Sequence, residues 1–307
     1  MSVEFFVAAI VTIVGLSTPI LLAGLGELVA EKSGVLNLGV EGMMLIGAIA
    51  GFAASVITGN PWLAVVAAAV AGALSASLFG FFVLTLNSNQ VATGLALTIF
   101  GTGLSSLLGL NYTGRIVMQF GSVFPPALAK HPIWQVLFGY SPIVYFAIIM
   151  VGLVSWFLGR TRSGLILRAV GENDLSAHSI GYSVIGVRYA AVAFGGAMAG
   201  IGGAYFSMVI TPMWAERMTA GRGWIALALV VFAGWRPARL LWGAYFFGIL
   251  MALELYAKAS GFSFLPSQFW AAMPYLMTVV VLAIISSRES GGGNAPACLG
   301  KPFLPAN

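Results

Sequence analysis

Charge is scarce in this chain of 307 residues: Asp, Glu, Lys and Arg together make up only 7% of it, against roughly 25% in an average soluble domain. That shortage excludes an ordinary water-soluble fold, because 60% of the residues are hydrophobic and the mean hydropathy is +0.98. A single cysteine, Cys298, excludes an internal disulfide and any thiolate cluster for zinc or iron–sulfur. The two histidines, His131 and His178, lack metal-ligand spacing. The chain has no G-x-x-x-x-G-K-[ST] nucleotide loop, no His-Glu-x-x-His, and no Ser or Cys with a credible base partner, so it is not read as an enzyme. A net charge of +5 might suggest nucleic acid, but the 14 basic residues are scattered over loops and form no patch. Membrane orientation accounts for them better.

What the chain has instead is long apolar runs. A helix needs about 20 largely apolar residues to cross the hydrocarbon, and the candidates are Phe5–Leu28, Val35–Thr58, Trp62–Leu86, Val91–Leu110, Pro142–Leu158, Tyr189–Ile210, Trp224–Trp235, Leu240–Tyr256 and Ala271–Ser286. Trp224–Trp235 is short for a crossing, so the reading is an all-α, polytopic bundle of eight or nine transmembrane helices. The first run follows Glu4, not a basic segment, and is read as a retained span and not as a cleaved leader. Asn111–Ser141 is read as an external segment with a re-entrant piece at Ile133–Phe138. Residues 1–287 then form one membrane domain, and the Gly- and Pro-rich tail 288–307 is expected to be disordered and cytoplasmic.

The longest polar break, Arg160–Arg188, divides two spans. Helical spacing over Ser163–Val170 ends at Gly171, a residue suited to the left-handed helix terminus. Asn173 or Asp174 can cap a second short helix running to Gly181. The loop reads as two stubby helices hinged at Gly171-Glu172. Placing it inside, with the spans alternating, collects nine Lys and Arg in the inner loops and five in the outer ones. A polar helical knob on the inner face suggests a docking surface for a cytosolic partner, with an ordinary solvated loop as the plain alternative.

Polar groups inside the spans are costly and therefore informative. Glu41 and Asn37, early in the second span, either line a watery path or hold a broken helix together, unless Glu41 simply reaches the inner interface. Asn89, Gln90, Thr93 and Thr98 partly share a face at the start of the fourth span, either contacting a polar solute or bonding across helices. Glu254 and Lys258 are spaced for an i,i+4 pair. Among the 39 glycines, pairs four apart such as Gly47 with Gly51 and Gly196 with Gly200 allow close helix contact.

Taken together and in order, GVLNLGVEGMMLIGA, NQVATGLALTIFGTGL, RSGLILRAVGENDLSAHSIGYSVIGVR, FGGAMAGIGGAY and GRGWIALALVVFAGWRP resemble the permease subunits of bacterial ABC importers. The family includes the ribose and branched-chain amino acid permeases, and this chain is most similar to the nucleoside-type branch that works with a lipoprotein of the basic membrane protein class. The resemblance implies a non-catalytic subunit in the plasma (inner) membrane. It further implies a cytosolic ABC ATPase that consumes the ATP, a second permease subunit, an external solute-binding lipoprotein, and no cofactor held by this chain. It assigns ATPase coupling to Arg168–Gly181, including Gly171, Glu172, Asn173 and Asp174. Asp174 and His178 stand where relatives often carry proline and alanine, and Thr98 where many nucleoside-type relatives carry asparagine. The solute expected is a nucleoside, with a simple sugar or branched-chain amino acid as the alternative. A self-sufficient carrier or channel using Glu41 is the reading from a different class, and a non-transporting scaffold is a third.

Overall fold

Backbone amides in lipid must be bonded within their own segment, and the chain answers with helices throughout. The computed structural model describes residues 3–117, 119–124, 132–259, 266–288 and 295–304. In order these form α1 (Val3–Lys32), α2 (Val40–Thr58), α3 (Pro61–Gly80, prolonged by a π-turn Phe81–Thr85), α4 (Gln90–Gly109), α5 (Pro132–Phe138) and α6 (Pro142–Arg160). After them come α7 (Arg162–Glu172), α8 (Asp174–Ser179), α9 (Val184–Tyr205, with a π-turn Phe206–Ile210), α10 (Arg222–Phe232), α11 (Pro237–Ala259) and α12 (Ser267–Arg288). Among the described residues the sole β pairing is an isolated bridge between Ile116 and Met213.

Seven of these helices are long and apolar enough to cross a membrane: α1, α2, α3 with its extension, α4, α6, α9 and α11. That number lies slightly below the expected eight or nine crossings. The helix α10 has 11 residues, about 16 Å at 1.5 Å per residue, roughly half the hydrocarbon thickness. The helix α12 has 22 residues, about 33 Å at the same rise and so long enough for a crossing; Gln268–Val281 is an apolar stretch within it. The predicted re-entrant piece is the seven-residue α5. Lys130 and His131 of the same segment lie outside the described residues.

Two boundaries differ from expectation in ways that matter. The helix α1 continues past Leu28, the end expected for the first span, to Lys32, and so includes Glu31. The second span begins at Val40, not Val35, leaving residues 33–39 outside any helix.

The centre is α9, with α1, α2 and α3 packed around it through glycine. A Cβ on Gly47 of α2 would overlap Gly200 Cα, and one on Gly72 of α3 would overlap the Gly196 carbonyl. Lipid offers no hydrophobic drive for helix association, so this backbone-on-backbone contact supplies the cohesion through dispersion. Gly47→Leu should cost on the order of 3 kcal/mol by overpacking, read as a lowered thermal midpoint of the detergent-solubilised protein. Gly152→Ala, at a site with no neighbour within 4 Å, should leave that midpoint where it is.

The tail also departs from expectation. Residues 295–304 are not disordered: they pack against the end of the bundle that carries α7 and α8, the knob end, with Phe303 8% exposed. Residues 289–294 and 305–307 lie outside the described residues.

Candidate functional site

The loop between α6 and α9 folds as the two short helices its punctuation suggested. Thr161 caps α7 by accepting from Gly164 N at 3.0 Å, and Asn173 caps α8 by accepting from Ser176 N at 2.9 Å. The bend falls at Asn173, in an extended conformation (φ −151°, ψ 94°). Gly171 therefore does not terminate the helix, as its position suggested, but lies inside α7. It is required because a Cβ there would overlap the Lys32 carbonyl at the end of α1. Gly181, beyond α8, is the residue that takes the left-handed conformation, at φ +94°.

Charge on this knob is divided between inside and outside. Arg188 is fully buried and pairs with Asp174 at 3.0 Å. Its Nε donates to the Ser33 carbonyl at 3.2 Å. Arg168, by contrast, is only partly covered, and its Nε is buried without a hydrogen-bond partner among the described residues. Arg168 and Glu172 line a polar cleft of about 470 Å³ with Lys32, Trp235 and Arg236. On α8 and at its C-terminal end two apolar side chains are exposed, Leu175 at 52% and Ile180 at 70%.

Beneath the knob, residues 33–39 climb into the bundle without helical structure. Gln90 Oε1 accepts from Leu36 N at 2.8 Å, and Thr98 Oγ1 donates to the Leu38 carbonyl at 3.0 Å. Gln90 and Thr98 are eight residues apart on α4, which at the helical rise is about 12 Å of depth. The helix α2 thus starts well inside the bundle. Asn37 braces the climb, its Oδ1 accepting from Gly39 N at 2.9 Å and its own N–H donating to Glu27 Oε1 at 3.0 Å.

Glu41, on the first turn of α2, is 6% exposed and does not reach for the interface. Its Oε1 accepts from Thr219 Oγ1 at 2.6 Å and Gly221 N at 2.7 Å, and its Oε2 accepts from Gly223 N at 2.7 Å. Those amides belong to the N-terminus of α10, whose first N–H groups have no partner within the helix. One carboxylate thus caps a half-length helix and sits at the positive end of its dipole. Of the polar group on α4, Gln90 and Thr98 join this framework. Asn89 caps its own helix at Ala92 N, and Thr93 borders a mostly apolar cleft with Phe79, Leu97 and Phe100.

Several residues escaped the sequence reading. Glu27 and Glu31 are each 1% exposed, and Glu31 Oε2 accepts from Trp235 Nε1 at 2.5 Å. Two carboxylates four apart in an apolar run were a usable signal. Thr219, Gly221 and Gly223 were less visible, since their role rests on a partner about 180 residues away.

Seven helices long and apolar enough to cross, the half-length α10 capped from within the bundle and a helical knob at one end make this a multi-pass membrane protein. Residues 9–282 match the family described as "Branched-chain amino acid transport system / permease component", and the chain belongs to that family: it is a permease subunit of an ABC transporter, seated in the plasma membrane. It is 39% identical over 289 residues to the "Putative glucose ABC transporter permease protein TsgC13" of Haloferax volcanii, covering 87% of this chain and 88% of that one. The nucleoside ABC transporter permease protein NupC of Lactococcus lactis is 32% identical, with 89% and 90% covered. The guanosine ABC transporter permease protein NupQ of Bacillus subtilis is 30% identical, with 94% and 93% covered.

Proposed function

We propose that this chain forms half of the translocation pathway of an ATP-driven importer for a nucleoside, with α7–α8 as the seat of a cytosolic ATPase and with a second permease subunit completing the pathway. An external solute-binding lipoprotein delivers the solute. The observation that carries the reading is the knob: two capped helices, wedged on α1 through Gly171, that present Glu172, Leu175 and Ile180 outward. The unpartnered Nε of Arg168 offers a donor in the adjoining cleft. The charge bias, nine basic residues against five, supports a knob on the cytoplasmic side.

Binding energy delivered to that seat by ATPase closure would tilt the helices between outward- and inward-open arrangements. Nothing in this chain hydrolyses ATP in the reading; Arg168, Gly171, Glu172, Asn173, Asp174 and Gly181 serve as the contact and its frame. Glu41 already accepts from three donors, which supports energy arriving from a partner over a carrier that uses this carboxylate for its coupling ion. The names of NupC and NupQ favour a nucleoside. A simple sugar is the second reading, favoured by the 39% identity to TsgC13.

The test is reconstitution in proteoliposomes of this chain with its ATPase, second permease and lipoprotein. Uptake of labelled guanosine should require ATP and be competed by other nucleosides, not by glucose or leucine. Competition by glucose alone would move the solute to the second reading. Uptake by the purified chain without ATP, following a proton or sodium gradient, would overturn the importer reading.

A further inference from the structure

Residues 295–304 form no helix or strand, yet they bond to four separate parts of the knob end. Cys298 N donates to the Gly171 carbonyl at 2.9 Å, near the end of α7, and Gly300 N donates to the Gly34 carbonyl at 3.1 Å, in the turn after α1. The Lys301 carbonyl accepts from Arg188 Nη1 at 3.4 Å and from Gln90 Nε2, at the start of α4, at 3.5 Å. Phe303 is buried with Val170, Ala177 and Val184, so its ring joins α7, α8 and α9, and it meets the His178 ring edge-on at 5.4 Å.

The pattern of these contacts is specific. Gly171 is one of the last residues of α7, where carbonyls lack a helical partner, and the tail supplies the missing donor. The two ends of the same short segment grip the knob (Cys298 to Gly171, Phe303 to the apolar faces of α7 and α8). Between them, Gly300 and Lys301 hold the 33–36 stretch and its neighbour Gln90. Residues 33–39 lead directly to Glu41 and the buried start of α10. The knob also bears on this stretch directly, among other contacts through Gly171 on Lys32 and the Arg188 bond to Ser33 that Asp174 orients.

We propose that residues 296–303 are a strap that transmits displacement of the knob to the 33–39 segment, and so to Glu41 and α10. The strap rests on the reading of α7–α8 as the ATPase seat, and deepens it: the seat captures the motor, and the strap makes its movement felt inside the bundle. A tail that merely covered the surface would not need to bond the turn after α1, α4, α7 and α9 at once.

Two variants test this in the reconstituted complex: a stop in place of Ala295, and Phe303→Asp in the full-length chain. Both should insert into the membrane and co-purify the ATPase at the wild-type level. ATP hydrolysed per solute taken up should rise about tenfold, a coupling loss in the usual range of 5- to 150-fold. Adding a peptide of residues 295–307 to the truncated complex should restore the wild-type ratio. An unchanged ratio in the truncated complex would overturn the strap. So would lost ATPase co-purification, which would make the tail part of the seat, or faster uptake, which would make it a plug. A truncated chain that no longer inserts would make the tail a folding element, with the same consequence. Failure of the underlying seat reading shows separately, as ATPase binding that survives when Arg168 and Glu172 are replaced in a chain with its tail intact.

Discussion

Glu41→Ala should abolish uptake and lower stability by about 3–5 kcal/mol, the cost of removing one partner from a buried charge-assisted network. The substitution leaves Thr219 Oγ1, Gly221 N and Gly223 N without their acceptor at a depth where water cannot replace it. It also removes negative charge from the N-terminus of α10, where the helix dipole favours it. Glu41→Gln is the informative companion. Its amide keeps one oxygen for the pair on Oε1 but turns an NH₂ toward Gly223 N, a donor facing a donor, so the loss should be smaller, about 1–3 kcal/mol. Thermal unfolding in detergent and ATP-dependent uptake in proteoliposomes measure the two effects. A carrier that protonates Glu41 in its cycle would show the opposite pattern, with Glu41→Gln as stable as the parent and only transport altered. A parental midpoint for Glu41→Ala would remove the capping role altogether.

The second large effect is expected at the knob. Replacing Arg168 and Glu172 together by alanine should abolish transport and release the ATPase, while membrane insertion and thermal stability stay near the parental values. Stability should change little because Glu172 is exposed and Arg168 is partly so, and charges in contact with water contribute little to folding. Binding should change much because both groups line the 470 Å³ cleft beside the exposed faces of α8. Charged pairs buried only when a partner arrives cost 2–5 kcal/mol or more, roughly, when one side is truncated. Co-purification of the ATPase and solute uptake are the readouts. Normal uptake in the double variant would count decisively against the seat.

Much of this architecture could be read from residues alone, and the exceptions share a cause. Hydropathy located the crossings of α3, α4, α6, α9 and α11 to within a few residues, and the Asn173 cap and the Glu254–Lys258 pair at 2.7 Å follow from local spacing. Hydropathy does not register whether Val35, Leu36 and Leu38 are helical or extended, so it ran the span back to Val35, and only the polar Asn37 and Glu41 hinted at the broken helix there. The cap on α10 and the seat of Gly171 depend on partners far along the chain. In the tail, Gly and Pro speak to local backbone preference. They say nothing of whether Phe303 finds an apolar pocket elsewhere, as it does.

The glycine contacts around α9 constrain how such a protein can move. Where Gly200 meets Gly47 and Gly196 meets Gly72, main chain lies directly on main chain, with no flexible side chain between them to take up a shear. In the importer proposed above, helices α1, α2, α3 and α9 are therefore expected to move together during a switch between openings.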